Sequence, residues 1–554
     1  MIGNRLAPVA AATARTCPAA ASYPGRRWSS SSATASKRRA SLLMEKPSTD
    51  QATQPSATIG TTRASTRTHT RGRGLVDARG RRVQAMAEEY DVIVIGAGPA
   101  GENAAQYAVE HSGLTCALVE AELVGGECSY WACMPSKALL RPLEVAATAR
   151  HLGGLGGTNL DPDGLLGRRD EWRSHLDDSG QVEWASGLGI DIIRGRGRLA
   201  GERRVDVEAS DGVRELAARH AVVLATGSTP TIPPVLRDVN PWTSRDATGV
   251  IVPPESIAIL GGGVVAVEAA TWLAALGTGV TLLVRGERLL DRMEELASEA
   301  VAAALREAGV AVRFGVEVSS ARRAVVDDGA PVGHPHGGLV TLTIAGRDEG
   351  FGEVLAATGR RPNTDDLGLD AVGLTADDLA GDTHLRHDWL YAVGDVAGGP
   401  PLTHWGKYQA RRVGEEIAHR ATGRGLTHTD DVDAPVPQVV FTDPQVAQVG
   451  PTASEAREAG RDVRVVDIPM SQAAGFGLLR DGAQGRARLV VECDRIIGAT
   501  FVGPEVAELL HAATIAIVGE VPLARLRHAV PAYPTAGEIW LRLVEEALHP
   551  EPRG

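Results

Sequence analysis

One module occurs twice in this chain, and it limits the fold more than any other feature. Asp91 to Ile95 is a short apolar run suited to a buried parallel strand. A turn from Gly96 through Gly98 to Gly101 follows, and a helical stretch then runs to about His111. A second apolar run, Leu114 to Val119, ends in Glu120, 24 residues after Gly96. The glycines allow a tight turn and let the backbone approach a pyrophosphate at the helix N-terminus, while the acid can bond a ribose hydroxyl. Ile257 to Leu260 opens the second copy, with Gly261, Gly262 and Gly263, a helix, and then Val280 to Val284. Here the third glycine has become Ala266. Val284 stands where the acid would be, with Arg285 next and Arg288 close by. An apolar residue followed by arginine suits a 2′-phosphate, so NADPH is expected over NADH. Glu287 is near enough to serve as a ribose acid, which leaves NADH open.

The stretch from Ile257 to Val284 holds one ionisable residue, Glu268, and is long enough to span a bilayer. Its glycines divide it into pieces better read as strand, helix and strand. Charge is uneven along the chain. Residues 1–85 carry 15 Lys+Arg against 3 Asp+Glu, and the rest carries 42 against 66. An acidic body argues against nucleic acid or anionic membrane as a partner. Residues 1–85 are Arg/Ser/Thr/Ala-rich without apolar periodicity, and read as an unpacked leader or as a start set too early, with Met86 as the working start. An Arg- and Ser-rich import signal is the minor alternative there. Five cysteines, two of them close together, fit a reducing cytoplasm with one special pair better than a disulfide scaffold.

Further apolar runs end in Ala225-Thr226-Gly227 and in Thr358 to Asn363, as strand-to-loop turns would, and another ends in Gly394-Asp395. A Pro/Asp-rich linker, His428 to Pro437, precedes a last region of about 120 residues with its own patterning. In this order the glycine turns, GGECSYWACMPSK (Gly125 to Lys137), ATGSTP, ATGRRPN, YAVGDV and FTDPQVAQVG cover roughly 470 residues. From Met86 onward the chain resembles the pyridine nucleotide–disulfide oxidoreductases, a group that includes dihydrolipoamide dehydrogenase, glutathione reductase and mercuric reductase.

That resemblance implies an α/β fold of two nested Rossmann-like dinucleotide-binding domains plus a C-terminal α+β dimerisation domain. The expected divisions are an FAD-binding domain in two segments, 86–235 and 364–430, an NAD(P)H domain over 236–363, and a dimerisation domain over 433–554. It further implies a homodimer. Gly96, Gly98, Gly101 and Glu120 look like FAD pyrophosphate and ribose contacts, with Ala225, Thr226 and Gly227 beside them. Gly394 and Asp395 look like the turn and acid that hold the ribityl chain. Gly261, Gly263, Ala266 and Arg285 look like NADPH contacts. Glu268 matches the acid that lies near the flavin ring and pairs with a lysine.

Cys128 and Cys133 are five apart, which in a perfect helix is about 7.5 Å along the axis. A disulfide needs Cα atoms within about 7 Å. The backbone between them must therefore tighten or bulge before helix begins near Cys133, with Pro135 tolerated in the first turn. The helix dipole then favours a Cys133 thiolate. In the resembling family the second cysteine faces the flavin and the first attacks substrate, so Cys133 and Cys128 take those roles. A zinc site needs about four ligands, and no second Cys/His pair lies nearby, so no metal is expected. Cys116 and Cys493 read as strand core. Residues 86–554 hold 40 arginines but only two lysines, Lys137 and Lys407. A lysine so placed suggests a site that needs a compact point charge.

The last domain departs from the family. Its disulfide reductases carry His-Pro-Thr…Glu there, with the histidine reaching across the dimer. Here Tyr533 stands in the histidine position and Glu538 fills the glutamate position, with His528 five residues upstream of Tyr533. The expected activity is NADPH oxidation through FAD and Cys128–Cys133 to a disulfide or other small-molecule acceptor. The alternatives are a quinone or one-electron-acceptor reductase, a mercuric reductase-like enzyme, a soluble transhydrogenase, and a redox sensor without turnover.

Overall fold

The computed structural model describes residues 87–157, 159–381, 383–427 and 434–549. The leader and most of the His428–Pro437 linker lie outside the described residues. Met86–Gly554 forms one compact unit.

β1 (Glu88–Ile95) and β2 (Cys116–Glu120) pair in parallel with Val94 opposite Leu118, and α1 (Pro99–Val109) connects them. Val92, Ile93 and Val94 are fully buried, as a parallel strand covered on both faces requires. α2 (Gly126–Tyr130) and α3 (Cys133–Arg150) follow, and then α4 (Pro162–Trp172) and α5 (Ser179–Gly187) lead to β3 (Ile190–Arg194). β4 (Arg196–Gly201), β5 (Arg204–Ala209) and β6 (Gly212–Leu224) form an antiparallel meander that returns to β1. The strand order is β3-β2-β1-β6-β5-β4.

Beyond β7 (Ser228–Pro230), α6 (Ser244–Thr248) precedes the second glycine module. That module is β8 (Ser256–Leu260), α7 (Val264–Ala275) and β9 (Gly279–Leu283), so the apolar stretch is strand, helix and strand as expected. α8 (Glu295–Glu307) and β10 (Ala311–Arg313) extend it. β11 (Val318–Arg323), β12 (Val340–Ile344) and β13 (Arg347–Phe351) make a separate antiparallel sheet. β14 (Glu353–Ala356) then completes a parallel sheet of order β10-β9-β8-β14. Arg360-Arg361-Pro362, expected as a plain turn, instead forms β15, because it pairs back onto β7. β16 (Leu390–Ala392) joins β6 in parallel, so the first sheet is completed by chain from beyond the second. This is the nesting that the family resemblance implies.

α9 (Thr403–Thr422) lies against α1 so closely that a Cβ on Gly414 would come within 2.8 Å of Ala104 O. The last module is an antiparallel sheet of β17 (Gln438–Val440), β18 (Gln445–Val449), β19 (Val463–Pro469), β20 (Arg486–Glu492) and β21 (Arg495–Gly503), in the order β17-β18-β21-β20-β19. Helices Leu510–Val518 and Ile539–Leu548 pack on it, with Trp540 against Phe501. Cys116 is core as expected, but Cys493 falls on the exposed turn between β20 and β21 with φ 56°. The hairpin turn takes it because the apolar run ends before it. Among the described residues no helix is long and apolar enough to cross a membrane.

In the second module Arg323 and Glu353 pair with both side chains fully buried, and Glu353 also accepts the His336 and Val354 amides. Removing one partner of such a pair leaves a bare charge in the core, at a cost of about 3–5 kcal/mol. Arg323→Ala should therefore lower the urea midpoint by that equivalent, and Arg323→Met with Glu353→Leu should recover most of it. Near-normal stability of the single variant would show that the pair contributes little.

Candidate functional site

The cysteine segment rests directly on the first glycine turn. Gly125 and Gly126 have φ of 113° and 59°, and a Cβ on Gly126 would lie 2.7 Å from Gly98 Cα. The Gly125 amide donates to Ala97 O at 2.8 Å, and Tyr130 OH donates to Val124 O at 2.9 Å. Cys128 lies inside α2, and the chain leaves helix at Trp131 and Ala132, where Ala132 has φ −135° and ψ −94°. α3 then starts at Cys133 with no side-chain cap on its N-terminus. This is the break that the five-residue spacing demands, and it leaves the helix-start dipole facing Cys133.

Both sulfurs flank one hydroxyl, that of Thr403 at the start of α9. Thr403 Oγ1 donates to Cys128 Sγ at 3.2 Å and lies 3.3 Å from Cys133 Sγ. Both cysteines are thiols in this structure. The Cys133 thiol is pulled down to about 6, chiefly by the hydrogen bond from Cys128, with Thr403 and the Lys137 charge assisting against burial and Glu268. Cys128 is pushed up by the same hydrogen bond and by burial. The arrangement can therefore hold one thiolate and one thiol side by side.

One turn along α3, Lys137 Nζ donates to Glu268 Oε2 on α7 at 2.8 Å and sits over the Phe441 ring. Glu268 is 3% exposed, and its other oxygen accepts the Phe441 amide at 2.9 Å. A cavity of about 330 Å³ opens beside Lys137, between Leu140, Phe441 and Glu508. Lys407 faces Glu102, whose carboxyl burial raises to about 7 despite the lysine charge. It supports the α1–α9 contact rather than the cysteine site.

Two anion cradles flank these groups. Gly96 has φ 99° and a Cβ there would meet Ala225 O at 2.4 Å, so only glycine fits. Space is open at Gly98, and the N-terminus of α1 carries no side-chain cap, so the backbone there can receive a pyrophosphate. Gly101 packs on Gly96 O. Glu120 is oriented by the Ala97 and Glu122 amides at 2.7 and 2.8 Å. Ala225 N bonds Ile95 O, Thr226 bonds Asn363 O, and Gly227 has φ 70°. Gly394 turns with φ 74°, and Asp395 accepts from Ser228 Oγ at 2.5 Å. These groups fit a dinucleotide such as FAD.

The second cradle repeats this. Gly261 has φ 132° and a Cβ there would lie 2.2 Å from Ala357 O, space is open at Gly263, and α7 is uncapped. Ala266 and Val284 are buried. Arg285 is exposed, whereas Arg288 is held by the carbonyls of Asp291 and Met293.

Tyr533 is 76% exposed, and Glu538 Oε2 is buried without a hydrogen-bond partner. Among the described residues no hydrogen bond of the single chain joins either to the cysteines. His528 is likewise exposed. Sequence reasoning missed Thr403 and Ser228. A threonine ahead of a helical pattern reads as an ordinary helix start, and nothing local ties it to cysteines 270 residues away.

Residues 90–410 match the family model described as pyridine nucleotide-disulphide oxidoreductase, and residues 436–544 match that family's dimerisation domain. A dihydrolipoyl dehydrogenase of Chlamydia muridarum is 30% identical over 84% of this chain and 99% of its own length. A mercuric reductase of Shigella flexneri is 32% identical over 81% of this chain and 79% of its own. Among solved structures, the HOCl-induced flavoprotein disulfide reductase RclA from Escherichia coli superposes with a TM-score of 0.69 at 24% identity, covering 82% of this chain and 99% of that one.

A depressed Cys133 thiol should be visible chemically. In the fully reduced protein, iodoacetamide labelling of Cys133, followed by mass spectrometry, should rise with a midpoint near pH 6, against about 8.5 for a free thiol. The thiolate is present above that midpoint and is lost as pH falls through it. Labelling that begins only above pH 8 would refute the thiolate assignment.

Proposed function

The chain belongs to the pyridine nucleotide-disulphide oxidoreductase family, and from that premise we propose that it carries electrons from NADPH to Cys128–Cys133 and on to a small disulfide or another small acceptor. The family's members are FAD-dependent enzymes that use NAD(P)H. FAD, when bound, accepts a hydride from the nicotinamide and passes two electrons onward. The observation that carries the reading is the cysteine pair sharing Thr403 beside the Lys137–Glu268 pair.

In this reading the oxidised pair takes up two electrons and one proton, leaving a Cys128 thiol and a Cys133 thiolate. Cys128 sulfur attacks one sulfur of the acceptor disulfide, its proton leaves, and the first acceptor thiol departs. Cys133 thiolate then attacks Cys128 sulfur, restoring the internal disulfide and releasing the second acceptor thiolate. Thr403 positions both sulfurs, and Lys137 holds positive charge near Cys133. Gly96, Gly98, Gly101, Glu120, Ala225, Thr226, Gly227, Gly394 and Asp395 would hold FAD. Gly261, Gly263, Ala266 and Arg285 would hold NADPH. The expected domain divisions at 235/236, 363/364 and about 430 serve this order of sites. Assembly is a homodimer through the dimerisation domain, and the reducing cytoplasm suits a working dithiol.

Proton delivery sets the acceptor. Exposed Tyr533 and Glu538, whose buried Oε2 has no hydrogen bond, belong in this reading to the partner's half of the site. A phenol with an ordinary pKa near about 10 is a poor proton shuttle at neutral pH, where imidazole near about 6.5 is a good one. The cavity beside Lys137 offers a second approach for acceptors that bypass the cysteines, such as quinones. NADPH oxidation should therefore be measured with lipoamide, glutathione disulfide, Hg(II) and quinones. Lipoamide and glutathione disulfide should turn over below a histidine-bearing family enzyme by about 10²–10⁴-fold, quinones should turn over faster, and Tyr533→His should raise disulfide reduction. Fast lipoamide turnover lost in His528→Ala would place the proton shuttle at His528 instead.

NADPH should be preferred over NADH. Arg285→Ala should weaken NADPH binding by about 1–3 kcal/mol, the worth of a charged hydrogen bond, and leave NADH unaffected in steady-state KM. Equal use of NADH by the unaltered protein would point to Glu287 as a ribose acid.

A further inference from the structure

The segment that carries the cysteines is fastened at three places to the chain inserted between β7 and β15, which holds α6 and the second module. Lys137 to Glu268 is one, at 2.8 Å. Thr248 Oγ1 on α6 donates to Trp131 O at 2.9 Å. The third involves the residue immediately before Cys128. Glu127 Oε1 accepts from Arg245 Nε, also on α6, at 2.5 Å. The remaining Arg245 nitrogens go to Glu122 at 2.8 and 3.2 Å, and its guanidinium lies over the Trp131 ring, which Arg173 faces as well.

Glu127 depends on this arginine. Its Oε2 is buried without a hydrogen bond, and Arg360 Nη2 stands 3.7 Å off while donating to Ser228 O, with Arg360 Nε and Nη1 on the Ser228 and Ser244 hydroxyls. Glu127 as a whole is half-buried, but a carboxylate with one oxygen enclosed and unbonded is stabilised by a neighbouring cation. The groups that weigh most on Cys133 are the Cys128 thiol, Thr403 on α9, Lys137 on α3 and Glu268 on α7, and Glu127 adjoins Cys128 in the chain. Those around Glu127 are Arg245 on α6 and Arg360 on β15, with Glu122 competing for Arg245.

We propose that Arg245 is a positioning residue for the redox pair: by neutralising Glu127 and seating Trp131 it fixes the turn between the cysteines and keeps a carboxylate charge from opposing the Cys133 thiolate. The proposal rests on the reading of Cys128–Cys133 as the redox centre. It also ties the cysteine segment to α6, so that the second module bears on thiol acidity without touching either sulfur.

The test is the pH profile of Cys133 alkylation by iodoacetamide in the reduced holoprotein, read by mass spectrometry. Arg245→Met should raise the midpoint by about one unit, the low end of what a nearby uncompensated charge does, because Glu127 is partly solvated. Glu127→Gln should shift it the opposite way, since Arg245 then lacks that counter-charge. The double variant should return close to the unaltered profile, which a merely structural role for Arg245 would not produce. An unchanged midpoint in Arg245→Met, or a rise that persists in the double variant, overturns the proposal. Should Arg245→Met fail to fold, Glu127→Gln alone decides, with an unchanged or raised midpoint counting against it. Absence of a low-pH thiolate phase in the unaltered protein would instead fail the redox-centre reading itself.

Discussion

A single buried carboxylate, Glu268, joins the three modules. It receives Lys137 from the first module and the Phe441 amide from the last while standing on a helix of the second. A buried carboxylate tolerates neither loss of its cation nor large displacement, because an uncompensated charge in the interior costs several kcal/mol. The relative placement of α3, α7 and the head of the last sheet is therefore constrained at one point. Cys133 starts the helix that carries Lys137, so the sulfur pair is placed by the same constraint.

The two glycine modules explain why such a junction is useful. Each leaves an uncapped helix N-terminus at the carboxyl end of a parallel sheet, where backbone amides and the helix dipole favour phosphate. Nesting the second module between β7 and β15 brings α7 to the first module's cysteine segment. The insertion point is a two-stranded ribbon, which holds entry and exit of the inserted chain together.

Acidity at the cysteines is set by neighbours from distant parts of the chain. Cys133 is stabilised as a thiolate by the Cys128 thiol, by Thr403 and by Lys137, against burial and Glu268. Cys128, Lys137 and the helix start are local to it, whereas Thr403 and Glu268 are not. Thr403 arrives because α9 packs along α1, a contact between small residues such as Gly414 and Ala104. Pairing of β16 with β6 brings Asp395 beside Ser228.

Much of this could be read from the residues in order. The strand–glycine–helix period, the acid after β2 and its replacement by Val284-Arg285 depend on spacing within one supersecondary unit, and such local patterns survive translation into structure. So did the break between Cys128 and Cys133, because disulfide geometry forbids a continuous helix across it. What local reading could not reach were contacts whose partners lie a hundred residues or more apart: Thr403 with both sulfurs, Ser228 with Asp395, and Arg245 with Glu127. Local reading also misjudged Arg360 to Pro362 and Cys493, since strand pairing across the nest and the position of a hairpin turn are settled by which chains meet. Sequence alone determined the modules and their order, because hydrophobic period and glycine turns are local. Only the tertiary structure decided which hydroxyl and which arginine stand around the cysteine segment, because packing of the modules brings those groups together.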